Sequence, residues 1–411
     1  MFHYTAKVCY NTHMKKIIIM ARITALSILI GIILGIAGGL FYLCIKGATA
    51  IRQAHSEFLF LLPVGAILIA LLYRVLRNED DGGTNRVLEA AHSDTPVSIK
   101  MAPAIFISTV FSHLCGASVG REGAALQLGG SVGYNTGKLF RIPDREKSLC
   151  ACIGMSACFS SLFGTPMAAA IFSIEIAIVG KLNLICFVPS VISAYIARFI
   201  ARELGAPDMR LDLNGTVAAS PVNLLKATVI AIAAGLVAML FCYLLAKGSK
   251  LTSDWLKNKH LRALVFGAIV LVLSFVFPGQ TYNGAGVEQI PAFLDGKVFP
   301  PQFLIKMLFT LLSVYAGYKG GEIVPSFYIG AALGAFLGNL LGLSPAMACA
   351  LGMVSLFCGV TNCPLTAFAI GIEIFGTGTA PFFLLASAFS FFCSGKRGLY
   401  SSQERAAYYI K

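Results

Sequence analysis

The 411-residue sequence predicts an all-α polytopic membrane protein made of two inverted-topology repeats, with broken helices that meet near the bilayer midplane. Three observations carry that prediction. Hydrophobic residues make up 57% of the chain and charged ones only 12%, at a mean hydropathy of +0.79, whereas soluble domains carry about a quarter charged residues. Apolar runs close to the roughly 20 residues that a spanning helix needs recur from residue 17 to residue 392. Distinctive residue patterns also return once, at a nearly constant offset.

In chain order, the apolar run 23–43 follows Lys15-Lys16 and is too long for a signal-peptide core, so it reads as a retained first membrane helix. Met14 directly precedes that lysine pair, which makes residues 1–13 a candidate over-extended start. Residues 58–76 form the second clear span, and 184–200, 224–245 and 261–277 are the later ones. Between them, the run 101–128 is interrupted by Gly116, Gly120 and Gly123, and the run 303–341 by Gly317, Gly320, Gly321 and Pro325. An apolar helix rich in small residues is expected after each interruption, at 124–134 and 326–341. The organisation that follows is an N-terminal segment with the first helix (1–57), a first membrane repeat (58–203), a connecting segment and helix (204–261), and a second repeat with a C-terminal segment (262–411). No soluble domain of useful size is left over.

The repeat is visible in residues. Gly154-Met155-Ser156, Pro166 and Ile174-Glu175-Ile176 correspond to Gly352-Met353-Val354, Pro364 and Ile372-Glu373-Ile374, at an offset of 198. Glu122 and Glu322 stand 200 residues apart, each in a glycine-rich interruption of an apolar run. Acids in membrane-embedded stretches are expensive and usually face an ion pathway or proton route. Transporters with inverted repeats place their sites at the repeat interface, where the N-termini of broken helices point inward. Two such starts facing each other bind a small anion through unpaired N–H groups and the helix dipole.

Other function classes fit less well. The net charge of +13 resides in short inter-helical segments near residues 74–77, 138–147 and 247–262, where it matches the positive-inside bias and lipid headgroups rather than nucleic acid. Most of the twelve cysteines sit in apolar runs as small hydrophobes, and Cys150-Ala-Cys152 lacks the spacing and His partners of a zinc site. No metal, no cofactor and no catalytic nucleophile–base pair is expected, so the chain is not read as an enzyme.

Gly120-Arg121-Glu122-Gly123 followed by Gln127, then Gly320-Gly321-Glu322-Ile323-Val324-Pro325, then Leu399-Tyr400-Ser401, resemble in this order the motifs of the CLC family of chloride channels and anion/proton antiporters. The resemblance covers essentially the whole membrane domain. It implies a homodimer in the plasma membrane with one pathway per subunit, carrying chloride by default and exchanging it for protons. It further implies that Glu122 plugs the pathway when ionised and protonates or swings to admit an anion. Gly120, Arg121 and Gly123 would frame that site, and N–H groups around Gly321, Ile323 and Val324 with the Tyr400 hydroxyl would hold the anion.

This sequence also departs from the family pattern. Gly82-Gly83-Thr84-Asn85 after Glu79-Asp80-Asp81 replaces the family's early site motif and resembles its fluoride-transporting branch, as does Glu322. Fluoride is therefore the alternative cargo, with Thr84 and Asn85 as candidate anion-site residues and Glu322 as a second proton-handling acid. The antiporters' inner acid is replaced by Ile176, which leaves a passive anion channel as the first rival; a cation/proton antiporter is the more distant one. The nucleotide-binding pair that follows the membrane domain in larger members is not expected here. Plainer roles stay open at each position: an Arg121 ion pair for Glu122, a helix cap for Glu322, an interfacial anchor for Tyr400, an N-cap for Thr84 and Asn85. Packing or a dimer interface is expected for Glu175 and Glu373.

Overall fold

Helix boundaries fall where the sequence supplies left-handed or ring-constrained backbone, and they fall at matching places in the two halves. The computed structural model describes residues 17–406 apart from 80, 94, 214 and 216; the candidate start at Met14 and Asp80 of the acidic turn lie outside the described residues. The first half forms α1 (Ile17–Ala54), α2 (Leu62–Val75), α3 (Gly83–His92), α4 (Met101–Cys115), α5 (Glu122–Leu139), α6 (Asp144–Phe163), α7 (Pro166–Glu175) and α8 (Phe187–Glu203). The second forms α9 (Pro221–Trp255), α10 (Lys259–Val276), α11 (Ile290–Leu294), α12 (Gln302–Ala316), α13 (Ile323–Leu341), α14 (Pro345–Thr361), α15 (Pro364–Phe375) and α16 (Ala380–Cys393). Gly116 (φ 86°) ends α4 as Gly317 (φ 97°) ends α12. Pro166 and Pro364, pre-set for a first helical turn, open α7 and α15.

Packing repeats as well. α5 lies on α6 and α13 on α14 through glycine faces; a Cβ on Gly154 would collide with the Gly129 carbonyl, and one on Gly352 with the Gly330 carbonyl. Small residues at such contacts let helix backbones approach where lipid offers no hydrophobic drive. α1 rests on α6 and α8, in the way α9 rests on α14 and α16. α7 and α15 run antiparallel across the repeat boundary. Glu175 accepts from Leu365 N, Thr366 N and Thr366 Oγ1 at 3.0, 2.8 and 2.5 Å, while Glu373 accepts from Met167 N and Ala168 N at 3.0 and 2.9 Å. Phe163 stacks on Phe327 across the same boundary at 5.3 Å between ring centres, and Phe327 stacks in turn on Phe357 within the second half at 5.5 Å.

Six helices among the described residues are long and apolar enough to cross a membrane. Where the expected spans differ, a local cause is visible. The run 58–76 divides into a 3-10 turn, Ser56–Leu61, and α2, with Pro63 in the first turn of the helix. The run 224–245 lies inside the longer α9, which starts earlier because Ser220 Oγ accepts from Asn223 N at 3.3 Å and ends later in polar residues up to Trp255. The helices expected at 124–134 and 326–341 begin earlier, at Glu122 and Ile323. A short parallel pairing of β1 (Ile178–Val179) with β2 (Glu404–Arg405) ties the C-terminal segment to the end of α7.

Candidate ion pathway

The loops that precede α5 and α13 cross and bond to each other. Gly120 N donates to Gly321 O at 2.5 Å and Gly321 N donates to Gly120 O at 2.9 Å. Glycine is required for this approach: a Cβ on Gly120 would lie 3.0 Å from Val324 Cβ and Pro325 Cδ, and one on Gly123 would lie 2.9 Å from Gly321 Cα. Ser118, one turn earlier, reaches α12 through Ser313 Oγ and Thr310 Oγ1, both at 2.9 Å. Two helix starts are thereby brought together in the core. In α13 the first i→i−4 bond is made by Ser326 N to Glu322 O, and Pro325 has no N–H, so the groups ahead of that bond are those of Ile323 and Val324.

Glu122 is the first residue of α5 and is fully buried. Its carboxylate folds back over the helix start, accepting from Arg121 N at 3.1 Å, with Arg121 Nε 3.4 Å away. The ion pair with Arg121, one of the plainer roles left open for Glu122, does form, with Arg121 outside the helix at its N-cap with φ −120°. Arg121 also lies 4.8 Å above the Tyr42 ring. It lines a cavity of about 390 Å³ together with Lys46, Arg52, His113 and Glu288. His113 is held by Thr109 O at 2.9 Å, and its Nε2 is buried without a protein partner.

Glu322 occupies the N-cap of α13 but makes no side-chain capping bond. It faces a second cavity, of about 610 Å³, with Tyr400, Asn85, Lys396 and Arg397. The end of α1 lines the first cavity and the C-terminal half of α9 the second; in an inverted pair these lie toward opposite faces. Tyr400 is 5% exposed, and its hydroxyl has no protein hydrogen-bond partner.

Thr84 and Asn85 sit in the first turn of α3 without capping it; Asp81 Oδ1 accepts from Gly83 N at 3.0 Å instead. Thr84 Oγ1 donates to Gly123 O at 3.3 Å and accepts from Gln127 Nε2 at 3.0 Å. Asn85 Oδ1 accepts from Ser402 N at 3.1 Å and from Ser402 Oγ at 3.0 Å. The residues read from sequence as anion-site and proton-handling candidates thus gather around the crossing of the two loops and the second cavity, whereas Glu175 and Glu373 lie at the α7–α15 contact. Lys396, Arg397, Ser402 and Gln403 were not singled out; the first two carried a signal, a basic pair just ahead of Leu399-Tyr400.

A family model described as voltage gated chloride channel matches residues 64–395. The chain is 32% identical over 391 residues to the chloride/fluoride channel protein of Pseudomonas syringae pv. tomato, covering 93% of this chain and 86% of that one. It is 26% identical to the H(+)/Cl(-) exchange transporter ClcA of Vibrio cholerae, over 85% of this chain and 81% of the other. Among solved structures it resembles a CLC-type fluoride/proton antiporter at a TM-score of 0.91 and 28% identity, covering 94% and 98% of the two chains.

Proposed function

The chain belongs to the CLC family of chloride channels and anion/proton antiporters, and from that premise we propose that it exchanges a small halide for protons across the membrane. One observation carries the proposal: a fully buried carboxylate, Glu122, sits at the junction where two helix starts meet. There its charge and an anion compete for the same positive end of the helices. Protonation frees that end for the anion, and departure of the proton restores the plug, so the two movements are linked. Ile323 N, Val324 N and the Tyr400 hydroxyl hold the anion on the side of the second cavity, and Glu322 hands protons between that cavity and Glu122.

Fluoride is the preferred cargo in this reading. Relatives named for fluoride support it, and so do the acid at Glu322 and the Thr84-Asn85 segment. Backbone N–H groups suit a small, strongly hydrated anion because they replace its water at close range. The apolar groove between α7 and α15, lined by Met167, Ile171, Leu365 and Phe368, is taken as the seat of a second subunit, and the remaining apolar surface as lipid-facing. A passive channel is the second reading. It is favoured by Ile176, fully buried and apolar, at the position where the family's exchangers keep an acid.

The test uses purified protein in liposomes under an imposed fluoride or chloride gradient, with external pH recorded. Uphill proton movement driven by the halide gradient is expected, larger for fluoride. Halide movement with no proton movement would establish the channel reading, and stillness of both halides would end the proposal.

A further inference from the structure

Tyr400 stands on no helix. α16 ends at Cys393, and ahead of the tyrosine the backbone is tied by Leu399 N to Val360 O at 2.8 Å. What fixes it from the other side is a pair of polar side chains. Ser402 Oγ lies 2.9 Å from Asn85 O and 3.0 Å from Asn85 Oδ1, which also accepts from Ser402 N. Gln403 Nε2 donates to Ile176 O at 2.9 Å and to Thr361 O at 2.8 Å, and Gln403 Oε1 accepts from Asn362 Nδ2 at 3.0 Å.

This arrangement spends every hydrogen-bonding group of one amide on three backbone or side-chain partners. Ile176 closes the first repeat's α7, and Thr361 and Asn362 close the second repeat's α14, where Asn362 takes a left-handed turn at φ 56°. Gln403 therefore references the Tyr400 segment to both halves at once, and Asn85 references it to α3, whose Thr84 touches Gly123. Only a side chain with two donors and one acceptor on one planar head fits, which excludes glutamate. A half-buried amide whose donors and acceptor are all engaged holds a single conformation.

We propose that Gln403 and Ser402 are positioning residues for the Tyr400 hydroxyl, and that Asn85 acts on the anion through Ser402 and not as a ligand. The inference rests on the reading of Tyr400 as an anion ligand. Misplacing a site group by about 1 Å costs up to about 100-fold, and losing one hydrogen bond alone costs about fivefold.

The experiment is calorimetric binding of sodium fluoride and sodium chloride to the detergent-solubilised full chain, in wild-type and Tyr400→Phe backgrounds. In the wild-type background, Gln403→Ala is expected to weaken halide affinity about tenfold and Ser402→Ala about threefold, with Ser402→Thr close to the parent. In the Tyr400→Phe background the same changes are expected to shift affinity by less than about twofold, since residues acting through one group are non-additive. Equal weakening in both backgrounds makes the role purely structural and overturns the proposal, as does unchanged affinity in the wild-type background. If Gln403→Ala does not fold, Ser402→Ala, which removes one oxygen atom, decides alone. If Tyr400→Phe by itself binds halide as tightly as the parent, the ligand reading of Tyr400 fails and takes this proposal with it, an outcome distinct from failure of the two polar residues.

Discussion

Glu175, the last residue of α7, caps the start of α15, and Glu373 near the end of α15 caps the start of α7, so two glutamates hold the two repeats in an antiparallel embrace. Each carboxylate meets the positive end of a helix. Replacing Glu175 by Leu should lower stability by about 2–3 kcal/mol, for it leaves buried N–H donors and a threonine hydroxyl unpaired. Glu373→Leu should lower it by about 1–2 kcal/mol, since only two donors are involved and the site is less buried. Thermal unfolding in detergent reads both. Equal values for the two would contradict the asymmetry in bonding.

Glu122→Gln removes the charge and keeps the shape. Halide-driven proton movement in liposomes should vanish, because the group that competes with the anion for the helix starts can no longer bind or release a proton. Proton movement that persisted in this variant would dismiss Glu122 as the coupling acid.

Glu322→Gln should reduce proton movement per halide by about tenfold or more, the scale of losing one positioned proton-transfer group, and leave the fold intact. Its carboxylate makes no capping bond that the amide would forfeit. Unaltered coupling would confine Glu322 to tuning the anion.

Gly120→Ala places a methyl group 3.0 Å from Val324 Cβ and Pro325 Cδ. Overpacking of this kind costs about 1–3 kcal/mol, and here it parts the two helix starts. Transport should drop by more than about tenfold while the unfolding temperature falls only modestly; normal flux would show that the close crossing is dispensable.

Lys396 and Arg397 line the mouth of the second cavity. Replacing both by Gln should slow halide flux several-fold at about 10 mM ionic strength and make little difference near 1 M, because the Debye length shrinks from about 30 Å to about 3 Å. A deficit that is the same at both salt concentrations would point to a structural role for them.

The helix breaks and the meeting of Glu122 and Glu322 segments were readable because glycine, proline and a buried acid are rare enough in apolar runs to mark their own positions. The repeat was readable for the same reason, at Pro166 and Pro364. What could not be read was partnership across the fold. Nothing near Glu175 in the chain announces Leu365 and Thr366 as its donors, and Asn85 gives no sign of Ser402, 317 residues further on. Neighbours within a helix do not face each other, but Arg121 lies just before the helix and so reaches Glu122. Gln403 carried no signal at all, since one glutamine in a polar tail looks like any other.

The mutual pair of bonds between Gly120 and Gly321 has a mechanical consequence. Each loop belongs to a different repeat, so the two halves are riveted at the proposed ion site. A transporter that rocks one half against the other would have to shear this rivet in every cycle. In the exchange proposed above, the moving part is instead the side chain of Glu122, a few torsions on an otherwise stationary frame. Turnover should then respond weakly to bilayer thickness and lateral tension, because neither grips a carboxylate in the middle of the protein.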